Sequence, residues 1–446
     1  MLTLTPADRS RAIDDLSFFA GYFSRSDMLA DNATILTSIF VALLLASVAL
    51  KTMLMRRQTR HVAAHRNQVP AAFSSAIGLP AHQRAADYTR ARTRLAIFAT
   101  IVDGLLVLAL TLGGGLQIVH TEWAKVLAPG SLAHGIALLA SISVIGWLVE
   151  LPAVLFRTFG IEKRFGFNRM TPGLFIADTV KEIALAAVIG LPLLAFVLWL
   201  MGAMGELWWL WVWAFWLCFN VLVMLIWPTF IAPLFNKFTP LADPLLKARV
   251  EALLARCGFQ SKGLFVMDGS RRSAHGNAYF TGFGAAKRIV FFDTLLEKLS
   301  PEEVEAVLAH ELGHFRHRHI LKRMALLAPM TLGLLALLGW LMQQTWFFDG
   351  LGASATDTAT ALALFFLALP AFTFFFLPIA SYWSRVHEYE ADAYAARQTR
   401  AADLVAALVK LYRDNASTLT PDPVYSRFFD SHPPAALRVA RLQALR

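Results

Sequence analysis

The sequence is poor in cysteine and in charged residues. Only two of its 446 residues are cysteines, Cys218 and Cys257, and Asp, Glu, Lys and Arg together make up 16%. Two such separated cysteines exclude a disulfide framework and a cysteine-based metal site. The low charge, with 57% hydrophobic residues and a mean hydropathy of +0.53, excludes an ordinary soluble protein. The composition instead indicates a polytopic membrane protein.

Long apolar runs are what the sequence has in abundance. A helix needs about 20 apolar residues to cross the hydrocarbon core of a bilayer. The sequence predicts seven such spans, near residues 33–54, 95–119, 134–158, 178–203, 207–232, 324–345 and 358–382. The predicted fold class is therefore mainly α, with one large soluble insertion between spans five and six.

Basic residues are unevenly distributed among the loops. Residues 51–94 carry one lysine and eight arginines against a single acid, Asp87, which predicts a cytoplasmic loop. Counting spans from there places the N-terminus outside and both the segment 233–323 and the C-terminus in the cytoplasm. We expect the inner membrane of a bacterium. Contact with anionic lipid headgroups then accounts for the net charge of +10 without any nucleic-acid partner.

Two stretches near the N-terminus have other patterns. Residues 1–30 mix acidic and basic side chains and lack an apolar core, so they predict no cleavable signal. The alanine-rich stretch 71–86 is predicted to be flexible chain.

The sequence of the insertion 233–323 predicts a small α+β unit. An amphipathic helix is predicted to open after Asp243-Pro244 and to close at Gly258. Short strands are predicted at 264–267, 277–280 and 288–292. A strand just before a catalytic helix offers an edge on which an extended peptide can lie by β-augmentation.

The pentapeptide His310-Glu-Leu-Gly-His314 carries the strongest chemical signal. Ser300 and Glu303 form a capping-box pattern that predicts a helix through it. Histidines four residues apart project from one helix face, so both rings can reach one zinc ion about 2.0–2.1 Å away. Glu311 falls between them, where it can accept a proton from a metal-bound water whose pKa the zinc lowers towards ~7. The pattern is typical of zinc hydrolases.

A catalytic zinc normally has a third protein ligand and keeps its fourth position for water. Segment 384–392 emerges from span seven on the same side as His310, and in it Glu388 and Asp392 share a helix face. That spacing suits a ligand followed by a carboxylate that accepts the free ring N–H of a ligand histidine. Four neighbours remain alternative ligands: Glu390, which points away from that face, His387, His317 and His319.

In combination these patterns resemble the type 1 CAAX prenyl proteases. Besides the pentapeptide and the segment 384–392, the resemblance rests on the motifs at 161–168, 270–283 and 431–433, and it runs from about Tyr88 to the C-terminus. It implies seven transmembrane helices that form a barrel around a water-filled chamber, capped by a cytoplasmic zinc-protease domain. The family cuts the C-terminal tripeptide from prenylated CAAX proteins and can cleave plain peptides.

The resemblance also implies roles for individual residues. His310, His314 and Glu388 would hold one Zn2+, and Glu311 would be the general base. Asp392 would be the carboxylate that orients a ligand histidine. Asn277 matches the family's substrate strand, which Ala278 and Tyr279 would continue. His432 and Arg438 match a C-terminal pair that can stabilise an oxyanion. One departure is Glu390, where many members have glutamine.

Ionisable residues within the predicted spans need water or a partner. Five such side chains are predicted to face an internal aqueous space: Asp103, Glu150, Asp178, Lys181 and Glu182. For the last three, pairing between neighbouring helices is the alternative.

Together these observations predict four parts. They are an N-terminal segment with spans one to five (1–232), the zinc-protease domain (233–323), spans six and seven (324–383), and a helical region with the third ligand (384–446). We expect a monomer that acts on peptides or proteins. Two other functions remain open: a quality-control metalloprotease, disfavoured by length and span number, and a transporter or receptor with a structural zinc, which would want a fourth protein ligand.

Overall fold

The computed structural model describes residues 6–281 and 288–445, with side chains over 31–279 and 288–445. Seven helical segments of this part are long and apolar enough to cross a membrane, which confirms the predicted number of spans. They are Asp31–Ala64, Leu79–Leu110, Leu132–Glu162, Pro172–Ala203, Gly205–Phe235, His319–Leu341 and Thr358–Gln398. The second span lies closer to the N-terminus than predicted, because its helix continues back through the basic loop.

The described chain is mainly helical. Its α-helices are α1 Pro6–Ala64, α2 Leu79–Leu110, α3 Gly115–Ala124, α4 Leu132–Leu155, α5 Pro172–Leu185, α6 Leu191–Ala203, α7 Trp208–Ile226, α8 Ala232–Phe235, α9 Pro244–Cys257, α10 Asp293–Leu296, α11 Pro301–Arg316, α12 His319–Leu341, α13 Thr345–Gly350, α14 Thr358–Thr373, α15 Leu377–Gln398, α16 Ala401–Asp414, α17 Pro423–Phe429 and α18 Ala435–Gln443. Spans three, four and five each contain a π-helical stretch: Phe156–Glu162, Ala186–Gly190 and Trp227–Ile231.

The insertion contains a four-stranded sheet in the order β1-β2-β4-β3. The strands are β1 Phe238–Pro240, β2 Leu264–Met267, β3 Ala278–Thr281 and β4 Arg288–Phe292. β2 and β4 are parallel, and the two outer pairs are antiparallel. The three predicted strands are present within a residue. β1 was not predicted, since three residues ending in proline carry no alternating pattern.

The spans surround internal space. One cavity of about 930 Å³ lies between spans two and three and the C-terminal region, with Asp103 and Glu150 in its lining. A second of about 430 Å³ adjoins it at Glu150 and is also lined by Asp178 and Glu182. These four residues face internal space as predicted.

Asp178 lines a cavity and is also paired with basic side chains. Its carboxylate accepts hydrogen bonds from Arg272 at 2.8 and 3.0 Å and lies 3.6 Å from Nζ of Lys181. Lys181 also donates to the carbonyl of Leu234 at 2.9 Å. Asp178 therefore pairs with a loop residue of the insertion and with its own helix, whereas Lys181 contacts a neighbouring helix through Leu234 of α8, as the alternative interpretation expected.

The prediction of flexible chain at 71–86 is wrong. Phe73 and Ile77 are buried in a cluster with Leu419, Ala435 and Val439 from the C-terminal region, and α2 begins at Leu79. Alanine-rich composition suggested mobility, but two large apolar side chains are enough to dock the stretch. The docking ties the first loop to the region that carries His432 and Arg438.

Candidate metal centre

Helix α11 begins with the predicted capping box. Ser300 accepts from the backbone N–H of Glu303 at 3.4 Å, and the Glu303 carboxylate accepts from the backbone N–H of Ser300 at 2.8 Å. Its apolar side packs into a core that the insertion shares with α15, α16 and α18. His310 is buried and His314 is partly buried on the remaining face, one turn apart.

Helix α15 continues from span seven and brings Glu388 and Asp392 against α11. Both carboxylates are buried. The two helices approach closely at Gly313, where an added Cβ would lie 2.8 Å from Cα of Ala391. Only glycine permits this approach, which sets the distance between the two histidines and the carboxylates.

The donor atoms of His310, His314 and Glu388 form a tight triangle. The two Nε2 atoms are 3.2 Å apart, His310 Nε2 lies 3.5 Å from Oε2 of Glu388, and His314 Nε2 lies 3.4 Å from Oε1. Zinc–ligand bonds of about 2.0–2.1 Å in a tetrahedron require donor separations of about 3.3–3.4 Å. Oε2 of Glu388 is buried without a hydrogen-bond partner in the described structure. The donor set therefore fits a zinc ion.

The number of donors distinguishes the two kinds of zinc site. Among the described residues, one group of His, Cys, Asp and Glu side chains is close enough to share an ion, and it has these three members. Three protein ligands leave a fourth position open, as catalytic sites do, whereas structural sites are closed by a fourth. The arrangement disfavours a purely structural zinc.

Asp392 and Arg438 stand behind His310. Nδ1 of His310 lies 2.9 Å from Oδ1 of Asp392, and Arg438 donates to both carboxylate oxygens, at 2.9 Å through Nε and 2.5 Å through Nη2. Arg438 is buried, with Nη1 3.5 Å from Oε2 of Glu388. Burial opposes its charge, but the hydrogen bond and charge of Asp392 hold the pKa of Arg438 above its ordinary value. Arg438 thus fixes the Asp392 carboxylate by hydrogen bonds and places its positive charge beside Glu388.

Glu311 lies between the two histidines on α11 and is partly exposed. Burial alone would lower the pKa of His314, but the carboxylates of Glu388 and Glu311 raise it above the ordinary value. Glu311 is therefore close enough to the donor triangle to act on it electrostatically.

His432 approaches the triangle from the internal cavity. Its side chain is 61% exposed, and its Nε2 lies 3.5 Å from Oε1 of Glu388. It also lines the larger cavity with Asp430 and Ser431, and Ser431 Oγ lies 3.0 Å from its Nδ1. His432 therefore connects the donor triangle to the space between spans two and three. Nothing in the sequence pointed to Ser431 beyond its place in the 431–433 motif.

The four alternative ligands are near the centre but outside the donor group. His319 and Glu390 contact each other, and His319 contacts the far side of the His314 ring. His317 and His387 have rings near-parallel to that of His319. The contact from His319 to the ligand was not predicted.

Strand β3 lies beside α11 at one edge of the described sheet. Asn277 pairs with β4, because its carbonyl accepts from Phe292 N–H at 3.0 Å. Antiparallel strands alternate such pairs, so the backbone N–H and C=O of Ala278 point to the open edge. Tyr279 instead packs its half-buried ring against Phe292, and burial raises its pKa.

The loop before β3 is held by the end of span three and by the loop that joins it to span four. His275 stacks on Phe167 with ring centroids 4.3 Å apart, and its Nε2 lies 3.6 Å from Glu162. Asn168 forms an isolated β-bridge with Ser273. These contacts join the 161–168 and 270–283 motifs of the sequence; Gly282 and Phe283 lie outside the described residues.

Comparisons with known proteins extend over the spans and the metal centre. Residues 58–237 match the family described as CAAX prenyl protease N-terminal, five membrane helices, and residues 240–446 match peptidase family M48. A CAAX prenyl protease 1 homolog of Arabidopsis thaliana is 38% identical over 70% of this chain and 74% of its own. CAAX prenyl protease 1 of Saccharomyces cerevisiae is 37% identical over 70% and 72%. The crystal structure of S. mikatae Ste24p aligns with a TM-score of 0.83 at 32% identity, covering 91% of this chain and 98% of that chain.

Proposed function

The chain belongs to the type 1 CAAX prenyl proteases, integral-membrane metalloendopeptidases of peptidase family M48, and on that premise we propose that it is a zinc enzyme acting on CAAX-type C-terminal segments. The observation that carries the zinc assignment is the donor triangle of His310, His314 and Glu388, with separations of 3.2 to 3.5 Å. When bound, zinc supplies Lewis acidity that lowers the pKa of a coordinated water and polarises a peptide carbonyl.

The protein's own groups then have separate tasks. The Glu311 carboxylate takes a proton from the attacking water and passes it to the leaving amide nitrogen. His432, exposed to the cavity beside Glu388, donates to the oxygen that becomes negative during attack. Asp392 orients His310, and Arg438 acts on the reaction by holding Asp392 and Glu388 in place.

The substrate is proposed to bind as an added strand on β3. The backbone of Ala278 faces the open edge and would pair with the peptide. Asn277 now accepts the Ala278 N–H through its own Oδ1 at 2.9 Å, so a bound peptide would compete with that contact. Tyr279 would hold the strand by its packing on Phe292. Prenylated peptides are one candidate, because the relatives are named CAAX prenyl proteases. Plain peptides are the other candidate.

We further propose a monomer in a bacterial inner membrane with lipid around its spans, the N-terminus outside and the metal centre in the cytoplasm. The basic loop 51–94 supports this orientation. The division into 1–232, 233–323, 324–383 and 384–446 is part of the same proposal.

A cleavage assay tests the mechanism. The purified protein and its Glu311→Gln variant are incubated with matched farnesylated and plain CAAX peptides and with a plain peptide that lacks a CAAX end, with and without a chelator. We expect Glu311→Gln to retain zinc but to lose at least about a hundredfold in rate, because general base catalysis contributes about 10² to 10⁴. Glu251→Gln, an exposed carboxylate on α9, serves as the matched control and should cleave normally.

The arms of this assay separate the claims. Cleavage that survives both Glu311→Gln and the chelator would refute the zinc mechanism. Cleavage of plain peptides without CAAX ends, at the same rate as CAAX peptides, would keep the mechanism and replace the substrate class.

A further inference from the structure

A line of three polar contacts runs from the metal centre to the surface behind His314. Nδ1 of His314 lies 2.9 Å from Nδ1 of His319, and Nε2 of His319 lies 2.7 Å from Oε2 of Glu390. Nζ of Lys322 lies 3.5 Å from the same carboxylate oxygen. The His319 side chain is only 6% exposed, whereas Glu390 is 37% exposed. The line therefore connects a metal ligand to solvent through one buried imidazole.

The direction of the hydrogen bonds in this line follows from the ligand. Nε2 is the His314 atom that faces His310 and Glu388, so it must carry the lone pair when a metal is bound. The ring proton of neutral His314 then sits on Nδ1, which donates. His319 must accept at Nδ1, and its own proton sits on Nε2, which donates to the Glu390 carboxylate. One proton order satisfies every contact.

We propose that Glu390, acting through His319, is a positioning residue that fixes the metal-binding tautomer of His314. The proposal rests on the zinc site proposed above and extends it. Asp392 lies 2.9 Å from Nδ1 of His310 and keeps the ring proton of His310 on that nitrogen. Glu390 would do the same for His314, with His319 in between. Partners of this kind change metal affinity about tenfold to a hundredfold when they are removed.

Helix geometry explains why the His319 imidazole is needed between Glu390 and His314. Glu390 lies two residues after Glu388, and residues two apart on a helix do not share a face. Its carboxylate therefore cannot reach the ligand face of α15, and His319, at the first position of α12, spans the gap. The His319 ring is held in plane by His387, stacked at 4.0 Å and 11°, and by His317, near-parallel at 5.6 Å and 13°.

The test measures the rate at which the zinc-loaded protein loses its metal to an excess of a chromogenic chelator. Glu390→Leu removes the acceptor and should release zinc about ten times faster or more. Glu390→Gln keeps an acceptor oxygen and should stay close to the wild-type rate. Glu251→Leu makes the same change at an exposed carboxylate on α9, away from the line of contacts, so it is the matched control and should release zinc at the wild-type rate.

A second measurement guards against misfolding. The far-ultraviolet circular dichroism of each variant should match the wild type, and the visible spectrum of the cobalt-loaded Glu390→Leu protein should differ from that of Glu390→Gln. Zinc release from Glu390→Leu at the wild-type rate would overturn the proposal. Equal acceleration in Glu390→Gln and Glu390→Leu would overturn the proton order. A wild-type protein that holds no zinc would instead overturn the proposed function.

Discussion

Asp392 occupies the most constrained position of any single carboxylate in the metal centre. It is buried, it accepts from His310, and it receives two hydrogen bonds from Arg438. A buried charge this well paired is costly to leave without its partner, by about 3–5 kcal/mol. Asp392 and Arg438 should therefore behave as a unit, and each should matter to zinc through His310.

Asp392→Asn is predicted to weaken zinc binding about tenfold to a hundredfold. The amide can still accept one hydrogen bond, but it removes the charge opposite Arg438 and can present an N–H to His310. Competition with a chelator of known affinity measures the effect. Asp414→Asn makes the same change in a carboxylate that pairs with Arg413 of its own helix at 2.8 Å, and it should bind zinc as the wild type does. Unchanged affinity in Asp392→Asn would contradict the orienting role.

The sequence predicted which side chains come together better than it predicted the contacts around them. The i, i+4 spacing of His310 and His314 and of Glu388 and Asp392 is a property of the helix, so these pairs could be found without a structure. The His319 contacts could not. Arg318 adopts a left-handed backbone, φ 55°, and this turn between α11 and α12 folds His319 back onto His314. Neither that turn nor the approach of Glu390, 71 residues away, has a pattern in the sequence.

At the level of elements, the crossing of α11 and α15 sets the geometry of the centre. The proposed ligands are divided between the two helices, so any change in the separation of α11 and α15 moves Glu388 away from the histidines. Gly313 is where they meet. The pentapeptide therefore needs glycine at its fourth position for packing as well as histidines for chemistry.

Gly313→Ala is predicted to destabilise the protein by about 1–3 kcal/mol, because the new methyl group overpacks the contact with Ala391. Zinc affinity should fall with it. Gly333→Ala in α12 is the matched control: its Cβ would meet nothing within 4 Å, and alanine favours a helix interior by about 1 kcal/mol. Thermal unfolding and zinc titration of both variants measure the difference. Equal stability of the two variants would refute the packing argument.

Secondary-structure elements were predicted correctly where residues close in the sequence determine them. Helix α9 begins after Asp243, whose side chain caps it, and ends at Gly258 with φ 68°, as the sequence indicated. The stretch 71–86 failed because what orders it is distant: Phe73 and Ile77 pack on residues beyond 418. Long-range packing of a few apolar side chains leaves no periodic trace.

At the scale of the whole molecule, hydropathy predicted the number of spans, and the charges within them predicted the internal space. Seven apolar helices could equally form a closely packed bundle. What distinguishes the hollow arrangement is that Asp103 and Glu150 line a cavity instead of pairing in a dry interface. Because His432 lines the same cavity, a peptide inside it could reach the metal centre.

Span three offers a direct test of this arrangement, because its two exposed faces should differ. Glu150 lines both cavities. Leu148 is 51% exposed but lies about 200° around the helix, on the face shared with Val144 and Leu155. In a chain whose Cys218 and Cys257 are replaced by serine, we predict that Glu150→Cys reacts with a small, charged thiol reagent and that Leu148→Cys does not.

The side of the membrane from which the reagent reaches the cavity tests the orientation of the protein. If the metal centre faces the cytoplasm, reagent on the cytoplasmic side of sealed vesicles should label Glu150→Cys faster than reagent on the other side. A hydrated cavity makes the thiolate accessible, while lipid around Leu148 keeps a thiol there protonated and out of reach of a charged reagent. Equal labelling of the two positions would mean that both faces of span three meet the same environment, which would refute an internal aqueous chamber.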